Sequence, residues 1–187
     1  MWPAEGGVSQ AAAMLMAKSG CRWIATGQAV LGNSLRQAGQ EEVMASPLNY
    51  LYRPYRIADS EHEIACFFRD DQLSDKIGFE YAKWFGRDAV LDLIQRFEEI
   101  WHNSSGHENP IVSIILDGEN AWEYYPYNGY YFLSELYEML QNHPHIEMTT
   151  FRDYLDGCRD ELDSEEPPAY HCAESRDLPH LVAGSWV

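Results

Sequence analysis

The chain has 187 residues, a length that fits one domain built on a single core. Its formal charge of −17, from 13 Lys and Arg against 30 Asp and Glu, excludes nucleic acid as a partner, because phosphate contacts need clustered cations. No stretch approaches the roughly 20 apolar residues of a membrane span, and no basic n-region leads into an apolar h-region, so a soluble, cytoplasmic protein is expected.

Aromatic residues make up 13% of the chain, with six Trp and twelve Tyr. Flat rings with polar rims serve core packing and sugar stacking equally, so composition leaves both open. Cys21, Cys66, Cys158 and Cys172 show no Cys-x-x-Cys pair. They are expected as reduced thiols, with no structural metal. The acidic stretch 156–166, ahead of Pro167-Pro168, reads as a solvated loop.

In chain order, residues 8–19 form an Ala- and Met-rich helix with Ser9 as N-cap and Gly20 as its stop. Arg22-Trp23-Ile24-Ala25-Thr26 is short, apolar and bounded by glycines, as a buried strand would be. The unit recurs: residues 63–68 read as a strand, followed by a polar turn at Arg69-Asp70-Asp71 and a short helix from Leu73. Residues 86–102 carry Val90, Leu93, Ile94, Phe97, Ile100 and Trp101 at helical spacing. Residues 111–116 make the strongest strand signal, and a last helix covers 130–141. Alternating helices and short apolar strands predict an α/β fold with a parallel sheet.

Each predicted strand ends in polar residues: Thr26-Gly27-Gln28, Arg69-Asp70-Asp71, and Asp117-Gly118-Glu119-Asn120. In parallel α/β folds the carboxyl ends of the strands carry the site, since their loops converge on one crevice. Asp117 follows six apolar residues, so its carboxyl is expected partly buried, with a raised pKa suited to a general acid. An Asp in this place equally well caps a following helix. Glu119, Asn120, Trp122, Glu123 and the tyrosines behind them favour the first reading, because acids mixed with flat rings suit a sugar. His143 and His145 flank Pro144, a spacing too weak to indicate a metal.

Four stretches resemble glycoside hydrolase family 57: residues 1–9, 23–28, 68–79 and 116–123, with Gly184-Ser185-Trp186 as a fifth. The resemblance is nearest to the family's α-amylase/α-mannosidase-like branch. It implies a (β/α)7 barrel with parallel strands and a retaining activity on oligo- or polysaccharides with α-glycosidic linkages, with no cofactor. By position, Asp117 resembles the general acid/base and Glu5 a carboxylate lining the site. In that branch Trp-x-Ala-Thr is followed by Asp-Glu, whose Glu attacks the anomeric carbon; this chain has Gly27-Gln28 instead. An amide has the size of a carboxylate without its charge, so hydrolysis is expected to be severely impaired. A retaining pair would place Gln28 and Asp117 about 5 to 5.5 Å apart.

Supporting roles follow for the neighbours. Glu119 is expected to orient Asp117 or a sugar hydroxyl, and Trp122 to stack or pack beside it. Trp2 and Trp23 are expected to pack, with edges reaching the crevice. Arg69, Asp70 and Asp71 line the rim, Arg69 pairing with a carboxylate. Family members begin with a strand before the motif at Met1 and continue past Gly-Ser-Trp, so a partial barrel lacking N- and C-terminal elements is expected, with exposed sheet edges prone to pairing. The alternative to an impaired enzyme is a carbohydrate-binding remnant of the same fold.

Overall fold

A computed structural model describes residues 1–104, 109–118, 122–163 and 172–186, with side chains omitted for 159–163. Its elements are α1 (Gln10–Lys18), β1 (Trp23–Thr26), α2 (Gln28–Gln37), β2 (Tyr55–Ala58), β3 (Glu63–Phe68), α3 (Asp71–Asp75), α4 (Gly86–Asn103), α5 (Tyr130–Gln141), α6 (Phe151–Asp163) and β4 (Arg176–Asp177). The four strands form one sheet in the order β1-β3-β2-β4. Among the described residues no helix is long and apolar enough to cross a membrane.

The sheet is α/β but mixed, which corrects the expectation of parallel strands alone. β1 pairs parallel with β3, whereas β2 pairs antiparallel with β3. Four residues, 59–62, join β2 to β3, and so short a link permits only a hairpin. Asp59 builds the turn: its Oδ1 accepts from the backbone N–H groups of Glu61 and His62, both at 2.8 Å. β2 escaped sequence analysis because its burial alternates over only four residues, with Tyr55 and Ile57 inward.

The expected strand at 111–116 joins no ladder. Both edges of β3 are occupied, by β1 and β2, and the backbone of this segment bonds to the chain just beyond the strand ends. There Asp70 N–H donates to the Ser113 carbonyl at 3.0 Å, and Ile111 N–H to the Tyr52 carbonyl at 3.1 Å. Its side chains still alternate as a strand's would: Ile111 and Ile115 pack with Phe67 and Ala25, while Val112, Ile114 and Leu116 pack beneath α4 and α5. The segment therefore separates two cores.

α1 begins at Ser9, whose side chain accepts from Ala12 N–H, and its chain turns away through Gly20 at φ 87°. α4 and α5 pack on each other through Val90, Leu93, Ile94, Phe132, Leu136 and Leu140. Two helices were not foreseen: α2, and α6 in place of the expected acidic loop, of which residues 156–163 are helical and 164–166 lie outside the described residues. α6 opens with Thr150 Oγ1 accepting from Asp153 N–H at 3.1 Å, and its apolar stripe of Phe151, Tyr154 and Leu155 covers Phe67. The stripe precedes the acidic run in the sequence.

Cys158 and Cys172 form a disulfide, with Cα atoms 5.7 Å apart, which corrects the expectation of four reduced thiols; Cys21 and Cys66 are free. Sequence spacing carried no sign of this pair, because α6 and the chain beyond it must fold back to bring the two together.

One polar cluster braces α4. Asp92 accepts from Arg96 Nε at 2.8 Å and from the Tyr81 hydroxyl. Arg96, followed by Tyr81 among the stabilising partners, holds the Asp92 carboxyl below the usual carboxylate range. A carboxyl with a depressed folded-state pKa stabilises above its unfolded pKa, and that stability is lost as pH falls through the folded value. Asp92→Asn is thus expected to weaken the native state at neutral pH and to reduce the loss of stability below about pH 4. Urea unfolding at pH 7 and pH 3 checks this; parallel losses in both proteins would refute it.

Candidate active site

A small open cavity of about 80 Å³ lies at the carboxyl end of β3, faced by Asp117, Arg69, Ser74, Phe79, Tyr124 and Trp186 among others. Asp117 reaches it because the segment before it is held on both backbone groups of Ile115. Arg69 Nε donates to the Ile115 carbonyl at 2.9 Å, and Ile115 N–H donates to Ser74 Oγ at 3.3 Å. Hydrogen bonds to a buried guanidinium and a buried hydroxyl resist displacement by water, so Asp117 stands on a fixed base.

Arg69 is the hub. Its side chain is 9% exposed, and it pairs with Asp71 and Asp75, each at 2.7 Å. Its guanidinium lies 5.1 Å from the centre of the Trp186 ring, a cation–π distance. Trp186 is tied on its other side to Glu5: its Nε1–H donates to Glu5 Oε2 at 2.8 Å, and its backbone N–H to the Glu5 carbonyl at 3.2 Å. Trp2 packs edge-on against Trp186, with ring centres 4.9 Å apart. Glu5 adopts φ 53°, a left-handed conformation costly for a residue with a Cβ. The ends of the described chain thereby meet beside the cavity.

Gln28, the first residue of α2, uses both ends of its amide. Nε2 donates to the Tyr50 hydroxyl at 3.1 Å, and Oε1 accepts from Asp71 N–H at 3.4 Å. Gln28, Asp71, Arg69 and Trp186 form one continuous chain of contacts, and the last two border the cavity with Asp117. Gly27, just before it, is packed tightly against Trp186. A Cβ there would lie 3.0 Å from Trp186 Cα and 3.1 Å from its Cβ.

Other predicted residues do structural work in this arrangement. Asp70 is buried and caps α3, accepting from Leu73 N–H at 2.9 Å and from the Tyr52 hydroxyl at 2.8 Å. Burial, with Asp70 adding to it, pushes the Tyr52 hydroxyl pKa far up. Trp23 packs against Phe151, with ring centres 5.0 Å apart. Trp122 packs against Tyr125 and Phe132 beneath α5. Glu119 and Asn120 lie outside the described residues. Among the described residues no group of three His, Cys, Asp or Glu is placed to hold a metal ion; His143 pairs with Glu98, and His145 stacks on Trp101.

Gly129 bears on Trp122. It adopts φ 77°, and a Cβ there would lie 3.0 Å from the Trp122 ring. Gly129→Ala is expected to cost about 1 to 2 kcal/mol, a loss measurable as a lower urea midpoint.

Trp186 was the residue sequence analysis missed as a site member. Gly184-Ser185-Trp186 had been matched as a motif, but nothing in its spacing said that its indole would cover Arg69.

An acid, a buried cation and indole and phenol rings thus share one cavity at the carboxyl end of β3 in an α/β chain. The chain belongs to glycosyl hydrolase family 57, whose family model matches residues 1–167. Among solved structures, the 4-alpha-glucanotransferase from Thermococcus litoralis matches 98% of this chain with a TM-score of 0.60 at 16% identity. The chain spans 24% of the length of that enzyme. No curated protein gives a significant sequence match.

Proposed function

We propose that the chain is part of a (β/α)7-type domain acting on α-glucans or related α-glycosides by a retaining scheme, with Asp117 as general acid/base and Gln28 in the nucleophile position. Asp117 would protonate the departing glycosidic oxygen and afterwards take a proton from the incoming water or sugar hydroxyl. The step between needs a carboxylate to attack the anomeric carbon. An amide oxygen at Gln28 carries no charge to stabilise the oxocarbenium-like transition state, so turnover is severely impaired while sugar binding persists.

The observation that carries this reading is the anchoring of Gln28 between the Tyr50 hydroxyl and Asp71 N–H, beside the Arg69 hub that borders the Asp117 cavity. The same observation favours the second reading, a carbohydrate-binding remnant, because an amide satisfied at both ends is a settled part of the site. Release of sugar from a chromogenic α-glucoside and from maltooligosaccharides, by the native chain and by Gln28→Glu, separates them. Activity gained with Glu supports the catalytic scheme. Binding without gained activity supports the remnant, and absence of both binding and activity refutes the two together.

A further inference from the structure

Six of the twelve tyrosines fall within 124–137, and five of these are exposed. Tyr124, Tyr127, Tyr130 and Tyr131 are between 61% and 77% exposed. Rings so open gain nothing from core packing, and contiguous exposed apolar surface on a protein ordinarily marks a binding surface. They are mutually arranged. Tyr127 meets Tyr131 edge-on with ring centres 5.3 Å apart, and Tyr131 meets Tyr130 at the same distance.

Their support is rigid and strained. Tyr127 and Asn128 both adopt φ 54°, followed by Gly129 at φ 77°, three consecutive left-handed residues. Such a backbone costs about 1 to 2 kcal/mol for each residue with a Cβ. Phe132 beneath is buried and Gly129 is packed on Trp122, so the platform stands on the core under α5.

We propose that Tyr127, Tyr130 and Tyr131 form a stacking platform that holds a segment of α-glucan outside the cavity, as a continuation of it through Tyr124. The inference rests on the proposed glucan reading of the site. Tyr124 is the link, since it borders the Asp117 cavity and the chain runs from it through one turn to Tyr127. Glucose rings present apolar C–H faces ringed by hydroxyls, which match largely exposed phenol rings with polar rims. A neutral ligand also suits a chain of charge −17, whereas a second copy would bring the same charge and be repelled.

The test compares a long and a short ligand on the full chain: amylose and maltotriose, with Tyr127→Gly, Tyr131→Ser and Tyr131→Phe. Glycine at position 127 relieves the left-handed strain, so this variant is expected to melt no lower than the native chain and any lost binding is not lost folding. Tyr127→Gly and Tyr131→Ser are each expected to weaken amylose binding about tenfold and leave maltotriose unchanged, while Tyr131→Phe keeps both. Amylose binding that depends on these rings without any maltotriose binding supports the platform and refutes the cavity reading. Both ligands bound, with neither affected by the variants, overturns the platform and leaves the cavity reading standing. No binding of either ligand overturns both, and self-association abolished by Tyr127→Gly with amylose binding unchanged overturns the platform in favour of a contact between copies.

Discussion

Gln28→Glu is expected to raise hydrolysis of an α-glucoside by on the order of 10³-fold or more over the native chain, since a missing nucleophile is the costliest single loss in covalent catalysis. The surroundings accept the change. The Tyr50 hydroxyl, which accepts from the amide, turns to donate, and Asp71 N–H already donates, so a carboxylate keeps both hydrogen bonds without moving. Position 28 also opens α2, where the helix dipole favours a negative charge. Gly27 must be left alone. Restoring Asp-Glu by the double change Gly27→Asp and Gln28→Glu would put a Cβ 3.0 Å from Trp186 Cα and force Trp186 to shift by a few tenths of an ångström, so the double variant is expected to be less active and less stable than the single one. Initial rates with Asp117→Asn in the Gln28→Glu background complete the test: activity that survives loss of Asp117 would show that another group is the acid.

Arg69→Met is expected to destabilise the fold by about 3 kcal/mol and to abolish sugar binding. Three acceptors lose their donor at once: Asp71, Asp75 and the Ile115 carbonyl. The two carboxylates are partly exposed and regain water, so the main cost is the Ile115 carbonyl together with the vacated space under Trp186. Arg69→Lys rescues little, because one ammonium cannot span three acceptors that the planar guanidinium meets in fixed directions. Chemical unfolding gives the stability, and Trp fluorescence follows Trp186 as it leaves its cation partner. A Lys variant with native stability and native binding would refute the hub.

Much of this was readable in the residues. Ser9 and Gly20 marked α1, the spacing of Val90, Leu93, Ile94 and Ile100 marked α4, a glycine-bounded apolar run marked β1, and an apolar run closed by a polar turn marked β3. Arg69 was readable too, as a polar residue that follows directly on a buried strand and so stands at its mouth, where it borders the cavity with Asp117. Beside α2 and the disulfide, three features were not readable. The antiparallel course of β2 is set by a hairpin turn at Asp59, the segment at 111–116 had strand composition but meets β3 with both of its edges taken, and α6 hid its apolar stripe ahead of an acidic run.

The residues alone determined the chemistry on offer: a carboxyl at Asp117, an amide where a nucleophile is expected at Gln28, and a family membership carried by short motifs that are local in the chain. Only the tertiary structure decided what those motifs do to one another. It placed Trp186 across Arg69 and against Gly27, gave Asp70 to a helix cap, and turned Trp122 and Trp23 into packing. The physical reason is range. Propensity and periodicity act over a few neighbouring residues, whereas the contact between Glu5 and Trp186 joins groups 181 positions apart and exists only once the sheet has been built between them.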